Sequence, residues 1–160
     1  SAASFVPKPF TPFQWYPQDT MDTLKKKQEY LRQKLSIKGV KYNWHDVRLS
    51  FLEAVFAKGD RRLSGALARA FEKGAQFDSW QDHFKYDAFM EAFMEEGIDP
   101  AFYANRAIGP GETLPWDLID PLVDKEYLLK ELERAKEASA TPDCREGCLG
   151  CGRFGSDCNL

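Results

Sequence analysis

Residues 46–74 read DVRLSFLEAVFAKGDRRLSGALARAFEKG, and this stretch predicts two consecutive helices. Apolar residues recur at three- and four-residue steps, which predicts helices over 47–58 and 61–73. Asp46 and Asp60 each precede one of these segments as capping residues, and a glycine follows each segment. The stretch therefore indicates a domain built from short, sharply bounded helices.

The same signals recur elsewhere in the chain. Further helices are predicted over residues 21–35, 87–96, 100–103 and 125–139. In the 61–73 helix, the spacing places Leu63, Leu67 and Phe71 on the inward face. Alternating β-favouring residues predict short strands over 4–6 and 40–44. We therefore expect a mainly α fold with a compact helical domain at its centre.

Composition supports a folded domain without membrane spans. The chain has 160 residues, of which 43% are hydrophobic, and its formal net charge is −3. These values are typical of a globular domain and not of a disordered chain. No run of 18 apolar residues and no signal-peptide pattern is present, so we expect a cytoplasmic protein with reduced cysteines and no membrane partner.

Residues 1–19 form a proline-rich and aromatic segment. Prolines at positions 7, 9, 12 and 17 disfavour a regular helix or a central strand, so an extended amino-terminal arm is predicted. The arm carries five aromatic side chains, among them Phe5, Phe10, Phe13 and Trp15. These side chains are expected either to contact a partner surface, including a second copy of the chain, or to pack on the chain's own helices.

All four cysteines lie near the carboxyl end, spaced C-x3-C-x2-C-x6-C. They are Cys144, Cys148, Cys151 and Cys158. Thiolates this close together, with glycines between them, are typical of a site that holds zinc or an iron–sulfur cluster. Unligated thiols are the third alternative. The pattern predicts a metal-binding knuckle, with zinc and iron–sulfur both left open.

Charged residues form a second candidate site. Lys58-Gly59-Asp60-Arg61-Arg62 is a helix–glycine–helix corner with two adjacent arginines. Arginines near a helix start suit a phosphate or a carboxylate, whereas a structural ion pair with Asp60 needs no ligand. Arg48 and Glu53 lie on the preceding helix. A separate run, Lys25–Lys27, indicates either a solvated helix face or an RNA contact.

Several of these segments together resemble a known family. The segment SFVPKPFTPFQW at residues 4–15 resembles the stretch that closes the catalytic barrel in many radical S-adenosylmethionine proteins, with Phe10 where histidine is common. Further matching segments lie, in order, at residues 48–54, 59–63, 74–80, 114–117 and 144–152. Taken together, they resemble the carboxyl-terminal region of a bacterial cobalamin-binding radical S-adenosylmethionine family, across essentially the whole chain.

The resemblance implies a particular organisation. Residues 1–19 would be the last strand of a barrel and its exit, residues 20–139 a helical carboxyl-terminal domain, and residues 140–160 the cysteine-rich tail. The [4Fe–4S] cluster, S-adenosylmethionine and cobalamin would belong to the full-length family, bound by sequence upstream of this chain. The residues carried over as family-like are Arg48, Glu53, Asp60, Arg61 and Arg62, together with the four cysteines.

The resulting functional hypothesis is an accessory carboxyl-terminal domain of a cobalamin-dependent radical S-adenosylmethionine enzyme. It would cover the catalytic barrel of its own chain and shape substrate access, and RNA or a ribosome-related molecule would be a candidate substrate. By itself it is expected to be catalytically inactive. The alternative is a stand-alone zinc-knuckle module that binds RNA or a protein partner through Lys25–Lys27, Arg61 and Arg62.

Overall fold

The computed structural model describes residues 1–78 and 80–152. Within these residues the fold is mainly helical, as predicted, with six α-helices and no strand. The helices are α1 (Met21–Lys34), α2 (Val47–Lys58), α3 (Leu63–Glu72), α4 (Tyr86–Glu95), α5 (Pro100–Ala104) and α6 (Lys125–Lys136). Two short 3-10 turns cover Gln81–His83 and Cys144–Glu146.

Local sequence signals account for several helix boundaries. Asp46 caps α2 by accepting the Arg48 backbone N–H at 2.7 Å, and Thr20 caps α1 in the same way through Thr23. Asp99 accepts the Ala101 N–H at 2.9 Å and is followed by a proline at the first position of α5. Gly59 ends α2, and a Cβ there would clash with the Val55 carbonyl oxygen and with Leu63.

The two predicted strands are wrong for the described residues. Only an isolated parallel bridge joins Ala2 to Trp44, and the Ala2 N–H donates to the Asn43 carbonyl at 2.8 Å. Residues 4–6 and 40–43 have no ladder partner in this part of the chain. Alternation along one segment reports its preferred backbone conformation, whereas a strand also needs a second segment to pair with.

The chain divides into two compact units. The first unit contains residues 1–6 and 17–106. In it, α3 packs against α4, and α2 packs against α5 and α1. Very small side chains occupy the tightest positions, since Ala54, Ala92 and Ala104 are completely buried. This close packing explains how five short helices share one core.

The predicted inward face of α3 is partly wrong. Leu63 is buried as expected, but Leu67 is exposed and Phe71 retains 62% of its accessible surface. The residues that face the core with Leu63 are Ala66 and Ala70. Small residues on this face let α3 approach α4 closely, so the bulky side chains point outward.

The second unit contains residues 7–16 and the residues from position 107 onward. Its core combines Trp15 with Trp116, Ile108 and Leu114, and with Leu128 and Leu132 of α6. Gln14 is only 2% exposed. Its Oε1 accepts the Trp116 indole N–H at 2.7 Å and the Phe10 backbone N–H at 3.0 Å. A buried polar side chain therefore organises this aromatic core.

The predicted extended arm is folded into turns over part of its length. Residues 9–16 form consecutive turns, in which the Gln14 and Tyr16 N–H groups donate to Thr11 and Phe13 carbonyls. Trp15 is 3% exposed and belongs to the core of the second unit. Phe5 and Phe13, by contrast, remain exposed. The prolines favour turns here as readily as an extended run, because they fix φ without fixing the direction of the chain.

None of the helices in the described residues has both the length and the apolar content that a membrane crossing requires.

The buried amide of Gln14 provides a test of the second core. Replacing Gln14 with Ala would leave the Trp116 and Phe10 N–H groups without their acceptor, and should lower the free energy of unfolding by about 1–3 kcal/mol. Urea denaturation followed by tryptophan fluorescence measures this change. Gln33→Ala, which removes an exposed side-chain amide, is the control and should be nearly neutral. Equal stability of the two variants would contradict the conclusion that the Gln14 amide stabilises the second core.

Candidate functional site

The arginine corner contains an ion pair between Asp60 and Arg62. Asp60 Oδ1 accepts the Arg62 backbone N–H at 2.9 Å, and the guanidinium donates to both carboxylate oxygens, at 2.7 Å from Nη2 to Oδ2. The predicted structural pair is thus present. The Leu63 and Ser64 N–H groups donate to the Asp60 and Arg61 carbonyls three residues earlier, so residues 61 and 62 form a turn and α3 begins at Leu63.

Arg62 also lies beside two aromatic rings. Its guanidinium carbon is 5.8 Å from the centre of the Phe102 ring and 5.6 Å from that of Tyr103. These residues line a groove of about 560 Å³ together with Glu96–Asp99. The hydrogen bond from Arg62 lowers the pKa of Asp60, and burial followed by the nearby Asp60 charge raises the pKa of Tyr103. The corner can hold a flat or anionic group between a guanidinium and aromatic rings.

Of the other three residues predicted for this corner, Arg61 lies between Asp60 and Arg62, and Arg48 and Glu53 lie on α2. Arg61 is exposed and has no ion-pair partner among the described residues. Arg48 pairs with Asp46 at 2.8 Å and lies over the Tyr86 ring at 5.9 Å. Glu53 lines a separate, largely apolar groove of about 490 Å³ with side chains such as Phe56, Leu67 and Phe89. Arg48 and Glu53 therefore do not share the contacts of the Asp60–Arg62 pair that the structure describes.

Phe102 and Tyr103 are functional candidates that sequence reasoning missed. They follow the strong helix start Asp99-Pro100, which places them on a short helix packed against α2. That start was visible in the sequence. What brings the two rings to Arg62 is tertiary packing between segments about forty residues apart, and no local pattern reports it.

The cysteine tail has the backbone of a tight turn. The Gly150 N–H donates to Cys148 Sγ at 3.4 Å, and both Gly150 and Gly152 adopt left-handed φ angles, of 68° and 88°. An N–H aimed at a cysteine sulfur stabilises a thiolate and is a common feature of metal-bound cysteines. The C-L-G-C-G sequence at 148–152 therefore folds as a sulfur-facing turn.

A backbone hydrogen bond joins this turn to the residue that precedes α6. The Asp124 N–H donates to the Cys151 carbonyl at 2.8 Å, and Gly152 lies directly against the Asp124 carboxylate. Tyr127 lies one turn further along α6. Burial and then the neighbouring Glu131 raise its pKa, and Cys151 and Cys144 contribute in the same direction. Two of the cysteines thus lie near one phenol at the beginning of α6.

The described residues do not assemble a complete metal site. Cys144 and Cys148 are exposed, and Cys151 is half-buried. No group of three histidine, cysteine, aspartate or glutamate side chains converges on a metal position within residues 1–78 and 80–152. Cys158 lies outside the described residues. The four-cysteine ligand set therefore stays a prediction.

The lysine run on α1 is partly neutralised. Lys27 pairs with Asp19 at 2.5 Å, and Arg32 of the same helix donates to both oxygens of Glu29, at 2.7 and 2.9 Å. Lys25 and Lys26 are exposed beside them. The helix still carries an excess of positive charge, but not as an uninterrupted basic face.

Comparisons with known proteins give no relative for this chain: no protein-family model, no curated protein and no solved structure matches it.

The adjacent arginines 61 and 62 provide a matched test of the ion pair. Arg62→Ala removes the partner of Asp60 and should lower the urea midpoint measurably, by less than Gln14→Ala does, whereas Arg61→Ala should leave the midpoint unchanged. Because the pKa of Asp60 is lowered in the folded protein, the stability that the pair contributes is present above the ordinary pKa of aspartate, ~3.9, and is lost as the pH falls through the folded pKa.

Urea titrations of both variants between neutral pH and acid pH measure this effect. The cost of Arg62→Ala should shrink as the solution is acidified. A cost that is independent of pH would mean that Arg62 acts through its ring contacts and not through Asp60.

Proposed function

We propose that the chain is the carboxyl-terminal accessory domain of a cobalamin-dependent radical S-adenosylmethionine enzyme, where it covers the catalytic barrel and shapes substrate access. The resemblance of six ordered segments to that family motivates the proposal. In this role the chain contributes contacts and not the radical chemistry, which requires the cluster, S-adenosylmethionine and cobalamin of the full-length protein.

The exposed apolar surface of the amino-terminal segment is the observation that carries this proposal. Phe5 keeps 48% of its surface exposed, in the segment that resembles the last strand of a barrel. In the described residues, the one β-bridge of this amino-terminal segment joins Ala2 to Trp44, and the Phe5 carbonyl accepts a hydrogen bond from Gln18 Nε2. A large, half-exposed aromatic side chain on a segment outside any β-ladder of the described residues is well suited to pack against a further strand. In this proposal, the catalytic barrel packs against Phe5 and buries its exposed surface.

The test uses the complete reading frame that contains this chain. The encoded protein, purified without oxygen, should cleave S-adenosylmethionine to 5′-deoxyadenosine, while residues 1–160 alone should not. Phe5→Asp in the full-length protein should reduce cleavage or destabilise the barrel, yet leave the melting temperature of residues 1–160 unchanged because Phe5 is half-exposed there. Phe77→Asp, at another exposed aromatic residue, is the control.

A reading frame without an upstream barrel would refute the accessory role. So would a full-length protein in which Phe5→Asp and Phe77→Asp behave alike.

We further propose that the carboxyl-terminal tail holds a zinc ion or an iron–sulfur cluster through Cys144, Cys148, Cys151 and Cys158. Four soft thiolates suit either group. The Gly150 N–H directed at Cys148 Sγ supports the proposal, as do the left-handed glycines that shape the turn. Within the described residues, the three thiols do not converge on one metal position, and Cys158 lies outside them.

Metal content distinguishes the alternatives. Protein purified without oxygen should contain either one zinc and no visible absorbance, or iron and sulfide with a brown colour. Cys151→Ser should abolish stoichiometric binding, since Cys151 is the thiol anchored to α6 through its carbonyl. Ser139→Ala, upstream of the tail, should retain the metal. If wild-type protein contains neither metal and has four titratable thiols, the proposed metal site is refuted.

A further inference from the structure

The segment from Thr20 to His45 concentrates positive charge in a mildly acidic chain. It carries seven lysines and arginines against two acidic residues, whereas the rest of the chain carries fifteen against twenty-three. All seven cationic side chains are exposed. A local excess of this kind attracts polyanions even when the net charge of the whole chain is negative.

A groove lies within this basic region. It has a volume of about 300 Å³ and is lined by Lys25, Gln28, Glu29, Arg32 and Trp44. Four of these residues come from one face of α1, and Trp44 comes from the segment that leads into α2. The groove therefore places an indole ring beside a lysine and an arginine.

Trp44 is fixed in place as one wall of the groove. Gln28 Nε2 donates to the His45 carbonyl at 2.9 Å, and the Ala2 N–H donates to the Asn43 carbonyl at 2.8 Å. The Tyr42 ring stacks on Trp44, with centres 5.1 Å apart and planes 26° apart. Trp44 nevertheless keeps 45% of its surface exposed. It is thus a preorganised aromatic platform and not a core residue.

We propose that this groove binds single-stranded nucleic acid, with one unpaired base stacked on Trp44 and the adjacent phosphates near Lys25 and the neighbouring cations of α1. Stacking on an aromatic side chain needs a free base face, which a duplex does not offer. RNA and single-stranded DNA share this chemistry. The inference does not rest on the proposed accessory role.

Replacing Glu29 tests the site through an expected gain in affinity. It lies in the groove and accepts both hydrogen bonds of Arg32, which lower its pKa to about 2. Its charge therefore persists at neutral pH and opposes a phosphate. Glu29→Gln removes this charge and should tighten binding, a gain that loss of fold cannot imitate.

Fluorescence anisotropy with short labelled oligouridine and oligothymidine measures the interaction with the complete chain. Trp44→Ala should weaken binding by ~5- to 100-fold, and Trp44→Phe should retain part of the affinity. Trp80→Ala removes another exposed tryptophan and is the control. Lys25→Glu should weaken binding and reduce its salt dependence, whereas Lys130→Glu on α6 should do neither.

Tighter binding of oligouridine would identify RNA as the ligand, tighter binding of oligothymidine would identify DNA, and equal binding would identify any single strand. Three results would overturn the proposal. They are no binding by wild type, a duplex or polyglutamate that competes as well as the single strand, and equal affinity of Trp44→Ala and Trp80→Ala. Polyglutamate competition would point to an acidic protein segment instead.

Discussion

Two buried glutamines on one short segment hold the interior of this protein together. Gln14 accepts hydrogen bonds from the Trp116 indole and the Phe10 backbone, inside the second unit. Four residues later, Gln18 donates through Nε2 to the Phe5 and Ser50 carbonyls at 3.0 Å, inside the first unit. Each unit therefore depends on a polar anchor supplied by the proline-rich segment. Amides buried in this way fix one arrangement of the core, because any shift leaves donors or acceptors without partners.

The helices were largely predictable because their boundaries are encoded locally. Asp46 and Gly59 bracket α2 at the predicted residues, and Asp99 with Pro100 marks the start of α5. These signals act within one turn of the backbone, so they hold in any tertiary context. The Asp60–Arg62 pair belongs to the same class, since both partners lie within one turn.

Features that depend on distant segments were not predictable. The outward position of Phe71 follows from the close approach of α3 to α4, and the buried position of Trp15 follows from residues about a hundred positions away. The Trp44 platform likewise depends on Gln28 and Ala2, which pin the residues on either side of the ring. For the cysteines, the sequence indicates the ligand type, whereas their convergence depends on how the tail folds. In each case the sequence shows which residue is present, but it does not show which distant residues surround it.

Gly152 shows how strongly a single contact limits which residues a position can accept. Its φ is 88°, and its α-carbon lies against the Asp124 carboxylate, so any side chain would meet both backbone strain and a collision. Gly147, five residues earlier, has an extended backbone and open space around it. In a library that places every amino acid at each position, Gly152 would accept almost no replacement, whereas Gly147 would accept most. Over evolutionary time, substitution should therefore be far more frequent at Gly147 than at Gly152, where the tail meets α6.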